Sequence, residues 1–211
     1  MSPFWRRASP PPPSVDPVVL EYRSHALTFL LAERPAGVWR VLDLGPASNA
    51  NLAFFASLGA TYAVAELWAT MAPCRRAGRI DAECLRGMGD LFSDAGAEPF
   101  HLILAWDLLD YLMPAALGAF GERLAPLTAT GSRLHALTSM NATQPARPGK
   151  CTVADVATIR LRPEPGPHAL PCPRYTEAAL AQALRPLAPH KSYLLKHHMR
   201  EHVLERPAVP R

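Results

Sequence analysis

Five residues of this chain have types and positions that could do chemistry: Asp43, Gly45, Glu66, Trp106 and Asp107. Asp43 lies in the apolar run Val38 to Leu44, just ahead of Gly45-Pro46. A carboxylate at such a place can hold the N–H groups of a turn or accept from a ligand's ammonium. A glycine two residues later lets backbone approach a ligand with no Cβ in the way. Glu66 ends a second apolar run, Thr61 to Ala65, and Trp106-Asp107 ends a third that begins at His101. Each residue has a plainer role beside the chemical one. Asp43 can simply cap the turn, and Glu66 can be a solvated acid where a helix starts. Trp106 can be a core or wall residue rather than a platform for a ring. Asp107 can cap a helix, or it can orient a substrate and act as a general base.

The elements that must position these residues follow from the order of the runs. An apolar stretch, a bend at Gly45-Pro46, an amphipathic segment from Asn51 to Leu58, Gly59 and a second apolar stretch read as strand, tight loop, helix, strand. This is the βαβ unit of a nucleoside-binding α/β fold, in which the helix N-terminus offers spare N–H groups and a positive dipole end. The acid ending the second strand is placed to accept from two ribose hydroxyls. A dinucleotide site needs the three glycines of GxGxxG to fit a pyrophosphate, and GPASNAN has only the first. That disfavours an anionic pyrophosphate and an NAD-dependent oxidoreductase.

Elsewhere the reading is uneven. Met1 to Ser14 is Pro-rich, with Pro10 to Pro13 consecutive, and is expected to be a flexible extended arm ahead of one domain spanning 15–211. Asp16-Pro17 opens a helix in which Val18, Val19, Tyr22, Ala26, Phe29 and Leu30 recur at helical spacing until Pro35 and Gly37. Leu67 to Arg79 reads as a helix broken at Pro73. Asp81 to Phe92 reads as a further helix or as a short third strand ending near Asp90, and Gly87 and Gly89 leave the choice open. A helix runs from Met113-Pro114 to Leu124, and a strand from Gly131 to Thr138. The polar loop Ser139 to Lys150 is too long for an ordinary connection and is a candidate lid or substrate loop. An added strand over Val156 to Leu161, a helix from Thr176 to Leu184 and a hairpin of Ser192 to Lys196 with His202 to Glu205 complete the chain. His135 reads as a satisfied core histidine and Tyr111 as a packing residue. His197, His198 and His202 fall on alternate faces of the hairpin, which speaks against a metal cluster.

Over 211 residues, 49% hydrophobic and 19% charged, the composition is that of a globular chain rather than a disordered one. A net charge of +4 with scattered arginines gives no support to a nucleic-acid partner. The leading segment has no apolar core of signal-peptide length, and no window reaches the roughly 18 unbroken apolar residues of a membrane span. Four cysteines without CxxC spacing are read as reduced, in a soluble cytoplasmic protein, rather than as a zinc site or a disulfide framework.

The order VLDLGPASNANLAFFASLG, YAVAEL, FHLILAWDLLDYL and the closing pair SYLLKHH and EHVLER resembles the class I S-adenosylmethionine-dependent methyltransferases. The resemblance covers nearly the whole chain, from the first helix to the last hairpin. It implies a Rossmann-like, mostly parallel seven-stranded sheet with helices on both faces and a C-terminal antiparallel hairpin, with S-adenosyl-L-methionine as cofactor. In that family a DxGxGxG loop after the first strand cradles the methionine and ribose, and an acid ending the second strand binds the ribose hydroxyls. Residues after the fourth strand line the transfer site. By position, Asp43 and Gly45 match the loop, Ala47 and Asn49 stand at its second and third glycines, and Glu66 matches the ribose acid. Trp106 and Asp107 match the segment after the fourth strand, and the adenine-contacting acid falls at best on Asp90. Ala47 is small enough for close approach, and Asn49 or Asn51 can donate hydrogen bonds in place of bare backbone. The expected activity is methyl transfer to an unknown small-molecule or macromolecular acceptor held near Asp107 and the Ser139 to Lys150 loop. The alternative is a non-catalytic scaffold that kept the fold after its loop lost two glycines.

Overall fold

The computed structural model describes residues 19–87, 98–164 and 170–208. The Pro-rich arm, the helix start at Asp16-Pro17 and Asp90 lie outside these residues. Their central element is a mixed sheet of six strands: β2 (Trp39–Asp43), β3 (Ala60–Val64), β4 (Phe100–Trp106), β5 (Thr128–Ser139), β10 (Ala188–Leu194) and β11 (Met199–Glu205). Their order is β10-β11-β5-β4-β2-β3. The three pairings among β3, β2, β4 and β5 are parallel, and the two made by β11, with β5 and with β10, are antiparallel. The expected seven-stranded, mostly parallel sheet is thus corrected to a mixed six-stranded one among the described residues. The β10-β11 hairpin is longer than the sequence pattern suggests, because β11 is registered against β5 over its full length as well as against β10.

The inner strands alternate faces in the way that burial on both sides demands. Along β4, Phe100, Ile103 and Ala105 enter one apolar cluster while Leu102, Leu104 and Trp106 enter the other. The first cluster is closed by α3 (Leu67–Thr70), α4 (Ala82–Gly87), α5 (Pro114–Leu124) and α6 (Glu177–Ala183), through Leu67, Leu85, Leu117, Phe120 and Leu180. The second is closed by α1 (His25–Ala32) and α2 (Asn49–Ser57), through Leu27, Leu30 and Phe55. Local chemistry sets the helix starts. Ser24, Ser48 and Thr176 are N-caps whose side chains accept from backbone N–H groups of the first turn, and Pro114 stands in the first turn of α5.

One expected helix is wrong in its first half. Leu20–Arg23 is a strand, β1, paired antiparallel with β8 (Thr158–Arg162), which in turn pairs with β7 (Lys150–Asp155). Only Tyr22 of β1 is buried, and α1 begins after the Ser24 cap. This small three-stranded sheet lies on the second apolar cluster through Tyr22, Cys151, Val153 and Ile159. The cysteines also depart from the reduced expectation: Cys74 and Cys84 form a disulfide, while Cys151 and Cys172 are free and buried. Among the described residues no helix is long and apolar enough to cross a membrane.

Candidate functional site

The bend after β2 and the acid after β3 share one end of the sheet. The parallel register sets Asp43 opposite Val64, Ala65 N–H donates to the Asp43 carbonyl at 2.9 Å, and Leu67 N–H donates to the Leu44 carbonyl at 3.0 Å. Glu66 sits between these two rungs in the left-handed region, φ 40°. From there its carboxylate reaches across the bend and accepts from Ala47 N–H at 2.8 Å. Pro46, Ala47 and Asn49 are exposed and Glu66 is half-buried, so this face of the bend is open to solvent.

Asp43 works on the other face. It is 0% exposed, and Oδ1 accepts from Gly45 N–H at 2.8 Å and from the Trp106 indole N–H at 2.7 Å. Its Oδ2 accepts from the Asn51 amide at 3.2 Å and from the Tyr62 hydroxyl. A carboxylate has about four acceptor sites, and four donors meet it here. Burial holds this carboxyl above its ordinary value, although the four bonds pull it down. Asn51, 0% exposed, carries the clasp further. Its amide N–H also donates to the Cys151 carbonyl at 3.1 Å, and its oxygen accepts from Val153 N–H at 2.8 Å, which ties the bend to β7.

Trp106 is buried, with φ 49°, and its indole lies directly on Gly45. A Cβ at position 45 would stand 2.7 Å from the indole Cδ1, so the absence of a side chain there makes room for this ring. Asp43 and Trp106 therefore hold the bend from beneath, while Glu66 holds it from the open side.

Asp107, also buried, accepts from Gly149 N–H at 2.8 Å, and burial pushes its carboxyl up to about 6. Gly149 is pinned: a Cβ there would stand 2.9 Å from the Arg162 carbonyl and would collide with Leu161. The Ser139 to Lys150 loop is thus laid down against the turn after β4 rather than left hanging. Tyr111 packs at 2% exposure and donates to the Arg147 carbonyl at 2.6 Å, and the Gln144 amide donates to the Asp110 carbonyl at 2.7 Å. Inside the loop, Thr143–Gln144 forms the short strand β6, paired with β9 (Leu170–Pro171). A cavity of about 160 Å³ lies between this loop, β1 and the start of β11, with Asp107 on its wall. A wider and more open cavity of about 760 Å³ lies beside the α2 N-terminus, bounded by Lys150, Arg160 and Arg162.

The predicted residues therefore divide. Ala47 and Asn49 line the wider cavity and Glu66 bonds to Ala47 on the solvent-facing side of the bend, Asp43, Gly45 and Trp106 form the buried support, and Asp107 lines the loop cavity. Sequence reasoning passed over Tyr62, Asn51's second role and Asp110. An aspartate inside the otherwise apolar DLLDYL was the available signal for the last. His135 donates or accepts through Nε2 with Glu201 at 2.8 Å inside the core. No three His, Cys, Asp or Glu side chains among the described residues gather as a metal set.

No protein-family model matches the chain, and no curated protein matches its sequence. Solved structures do. The 1,6-didemethyltoxoflavin-N1-methyltransferase of Burkholderia thailandensis, crystallised with 1,6-didemethyltoxoflavin and S-adenosylhomocysteine, is 18% identical, with a TM-score of 0.45 over 87% of this chain and 78% of that one. The glycopeptide N-methyltransferase MtfA, complexed with S-adenosylmethionine, is 15% identical, with a TM-score of 0.46 over 88% and 94%. An S-adenosylmethionine-dependent methyltransferase of Clostridium acetobutylicum is 10% identical, with a TM-score of 0.42 over 86% and 91%. At such identities and scores the likeness says nothing of this chain's substrate or reaction.

Proposed function

We propose that this protein is an S-adenosylmethionine-dependent methyltransferase whose acceptor binds beside Asp107 and the Ser139 to Lys150 loop. One observation carries the reading: the Glu66 carboxylate accepts from Ala47 N–H at 2.8 Å, which brings the acid that follows β3 onto the solvent-open face of the bend after β2. A carboxylate that accepts one N–H keeps acceptor capacity for two hydroxyls, which fits a ribose. Asn49 at the start of α2 adds an exposed amide donor next to the helix dipole. Asp43, Asn51 and Trp106 keep the bend in shape from below and do not touch the cofactor in this reading. The cofactor supplies a methyl group already activated on a sulfonium. The protein's task is then alignment of the acceptor beside Asp107 and removal, to a nearby carboxylate, of any proton the acceptor must lose.

Calorimetric titration of S-adenosylhomocysteine tests this. Wild type should give saturable heat, and Glu66→Ala should weaken binding by about tenfold or more, the worth of a lost charge-assisted hydrogen bond. Wild type that gives no heat rejects the proposal.

A second reading has its own support. The Trp106 indole covers Gly45, and Asp43 has its four acceptor sites engaged, so the half of the bend that the family gives to methionine is closed by protein groups. A scaffold that kept the fold and lost its ligand would look so. Failure of the same titration, with the fold intact by circular dichroism, is its expected result.

A further inference from the structure

The turn Leu108–Tyr111 carries a second buried acid, Asp110, at 2% exposure. Its Oδ2 accepts from Ser139 N–H at 2.6 Å, whereas Oδ1 has no hydrogen-bond partner among the described residues. Among the other buried polar atoms in that condition are the Tyr22 hydroxyl and Gln144 Oε1, at 2% and 5% residue exposure. All three residues line the same cavity of about 160 Å³, beside Asp107. They come from β1, the turn after β4 and β6, so sequence neighbourhood does not account for their meeting. Buried polar atoms are nearly always paired in folded proteins, and three unpaired ones around one cavity mark a place built for a ligand.

Their chemistry names the ligand. A carboxylate oxygen and an amide oxygen only accept, and a phenol can accept. An ammonium is the complement, since it brings three N–H donors and no acceptor. An alcohol brings a single O–H against three acceptors, and an anion meets Asp107 and Asp110 with like charge. Apolar contact for an alkyl part comes from Leu20, Leu161 and Met199. The nearby Arg79 does not neutralise the carboxylate by direct contact, because its guanidinium donates to the Asp110 and Pro171 backbone carbonyls. A cavity on the order of 150 Å³ holds a molecule the size of benzene, which sets the scale at about five or six heavy atoms.

We propose that this cavity binds a small organic ammonium, with its nitrogen among Asp110, Tyr22 and Gln144. Resting on the methyltransferase reading above, that amine is the methyl acceptor. An ammonium nitrogen has no lone pair to offer, so one of its protons must first pass to a carboxylate oxygen of Asp110, leaving a neutral amine and a neutral carboxyl group. Transfer then forms the N–C bond as the sulfonium S–C bond breaks, giving the N-methylammonium and S-adenosylhomocysteine. Burial pushes the Asp110 carboxyl up to about 8, with the neighbouring Asp107 charge raising it and the Ser139 N–H and Arg79 lowering it. Above about pH 8 the group is mostly ionised and can take that proton, and it then holds it better than an ordinary aspartate would.

The test is calorimetric titration of n-butylamine, n-butanol and butyrate into the whole chain at about pH 8.5, where the amine remains an ammonium and an aspartate raised this far is mostly ionised. Butylammonium should bind saturably and at least about tenfold more tightly than butanol, with butyrate silent, as expected for a charge-assisted site. Asp110→Asn should cost about tenfold or more. Tyr22→Phe, which removes only an unpaired hydroxyl and should fold as wild type, should cost about two- to fivefold. Equal binding of butanol, full affinity in folded Asp110→Asn, or no saturable uptake by wild type overturns the ammonium site. Butylammonium uptake without S-adenosylhomocysteine heat keeps the site and removes its role as acceptor site. S-adenosylhomocysteine heat without amine uptake overturns the site alone.

Discussion

Asp43 and Asp110 are both buried aspartates near the carboxyl ends of the adjacent strands β2 and β4, and they are treated in opposite ways. Four donors from the bend, α2, β3 and β4 converge on Asp43. Asp110 lines a cavity, with one oxygen on Ser139 and the other without a hydrogen-bond partner among the described residues. Burial alone does not separate a structural carboxylate from a binding one. The count of donors that the fold itself supplies does.

The largest effect should come from Asp43→Ala, which leaves Gly45 N–H, the Trp106 indole, the Asn51 amide and the Tyr62 hydroxyl without their acceptor. Chemical denaturation should show a loss of about 3–5 kcal/mol, given about 1–3 kcal/mol for each buried group left unpaired and partial rescue by water. A loss below about 1 kcal/mol would mean that the four bonds are dispensable.

Next in size is the dependence of stability on pH. The folded Asp110 carboxyl is raised to about 8, so its contribution is complete below its unfolded value and is lost as pH rises through about 8. Asp107 follows the same sign through about 6. His202, lowered to about 4 by burial, has the opposite sign: its contribution is present above the ordinary histidine value and is lost as pH falls toward 4. These two overlap on the acid side, which leaves the interval above neutrality to Asp110. Denaturation midpoints should fall between about pH 7 and pH 9 in wild type and stay nearly level in Asp110→Asn. An equal fall in both would detach the effect from Asp110.

The smallest effect sharpens the contrast. Asp110→Asn keeps an oxygen for Ser139 N–H and replaces a carboxyl group that, raised to about 8, is mostly uncharged at neutral pH. Its stability at neutral pH should lie within about 1 kcal/mol of wild type. A loss as large as that of Asp43→Ala would erase the distinction between the two sites.

Local pattern was enough for β2, α2, β3, β4 and α5, where apolar runs of strand length alternate with capped amphipathic segments. It failed at Leu20–Arg23, because Tyr22, Ala26, Phe29 and Leu30 satisfy helical spacing equally well. What makes a strand there is pairing with Thr158–Arg162, well over a hundred residues away. The Cys74–Cys84 bridge was hidden for a related reason, since ten residues of separation carry no signature until a turn brings the sulfurs together. At the site, Glu66 could be placed from its position at a strand end, and its left-handed backbone could not. Asp110, Tyr22 and Gln144 belong to three separate segments, so no spacing rule could have joined them. The inward turn of Trp106 onto Gly45 was equally out of reach, since a glycine reads as room for a ligand whatever comes to fill it.

The side chain of Asn51 makes the small sheet a splint for the bend after β2, because one amide grips Asp43 while resting on the backbone of Cys151 and Val153. Stiffness in the bend is thus borrowed from strands a hundred residues downstream. Residues along β7 and β8 inherit a say in how firmly the bend keeps its shape.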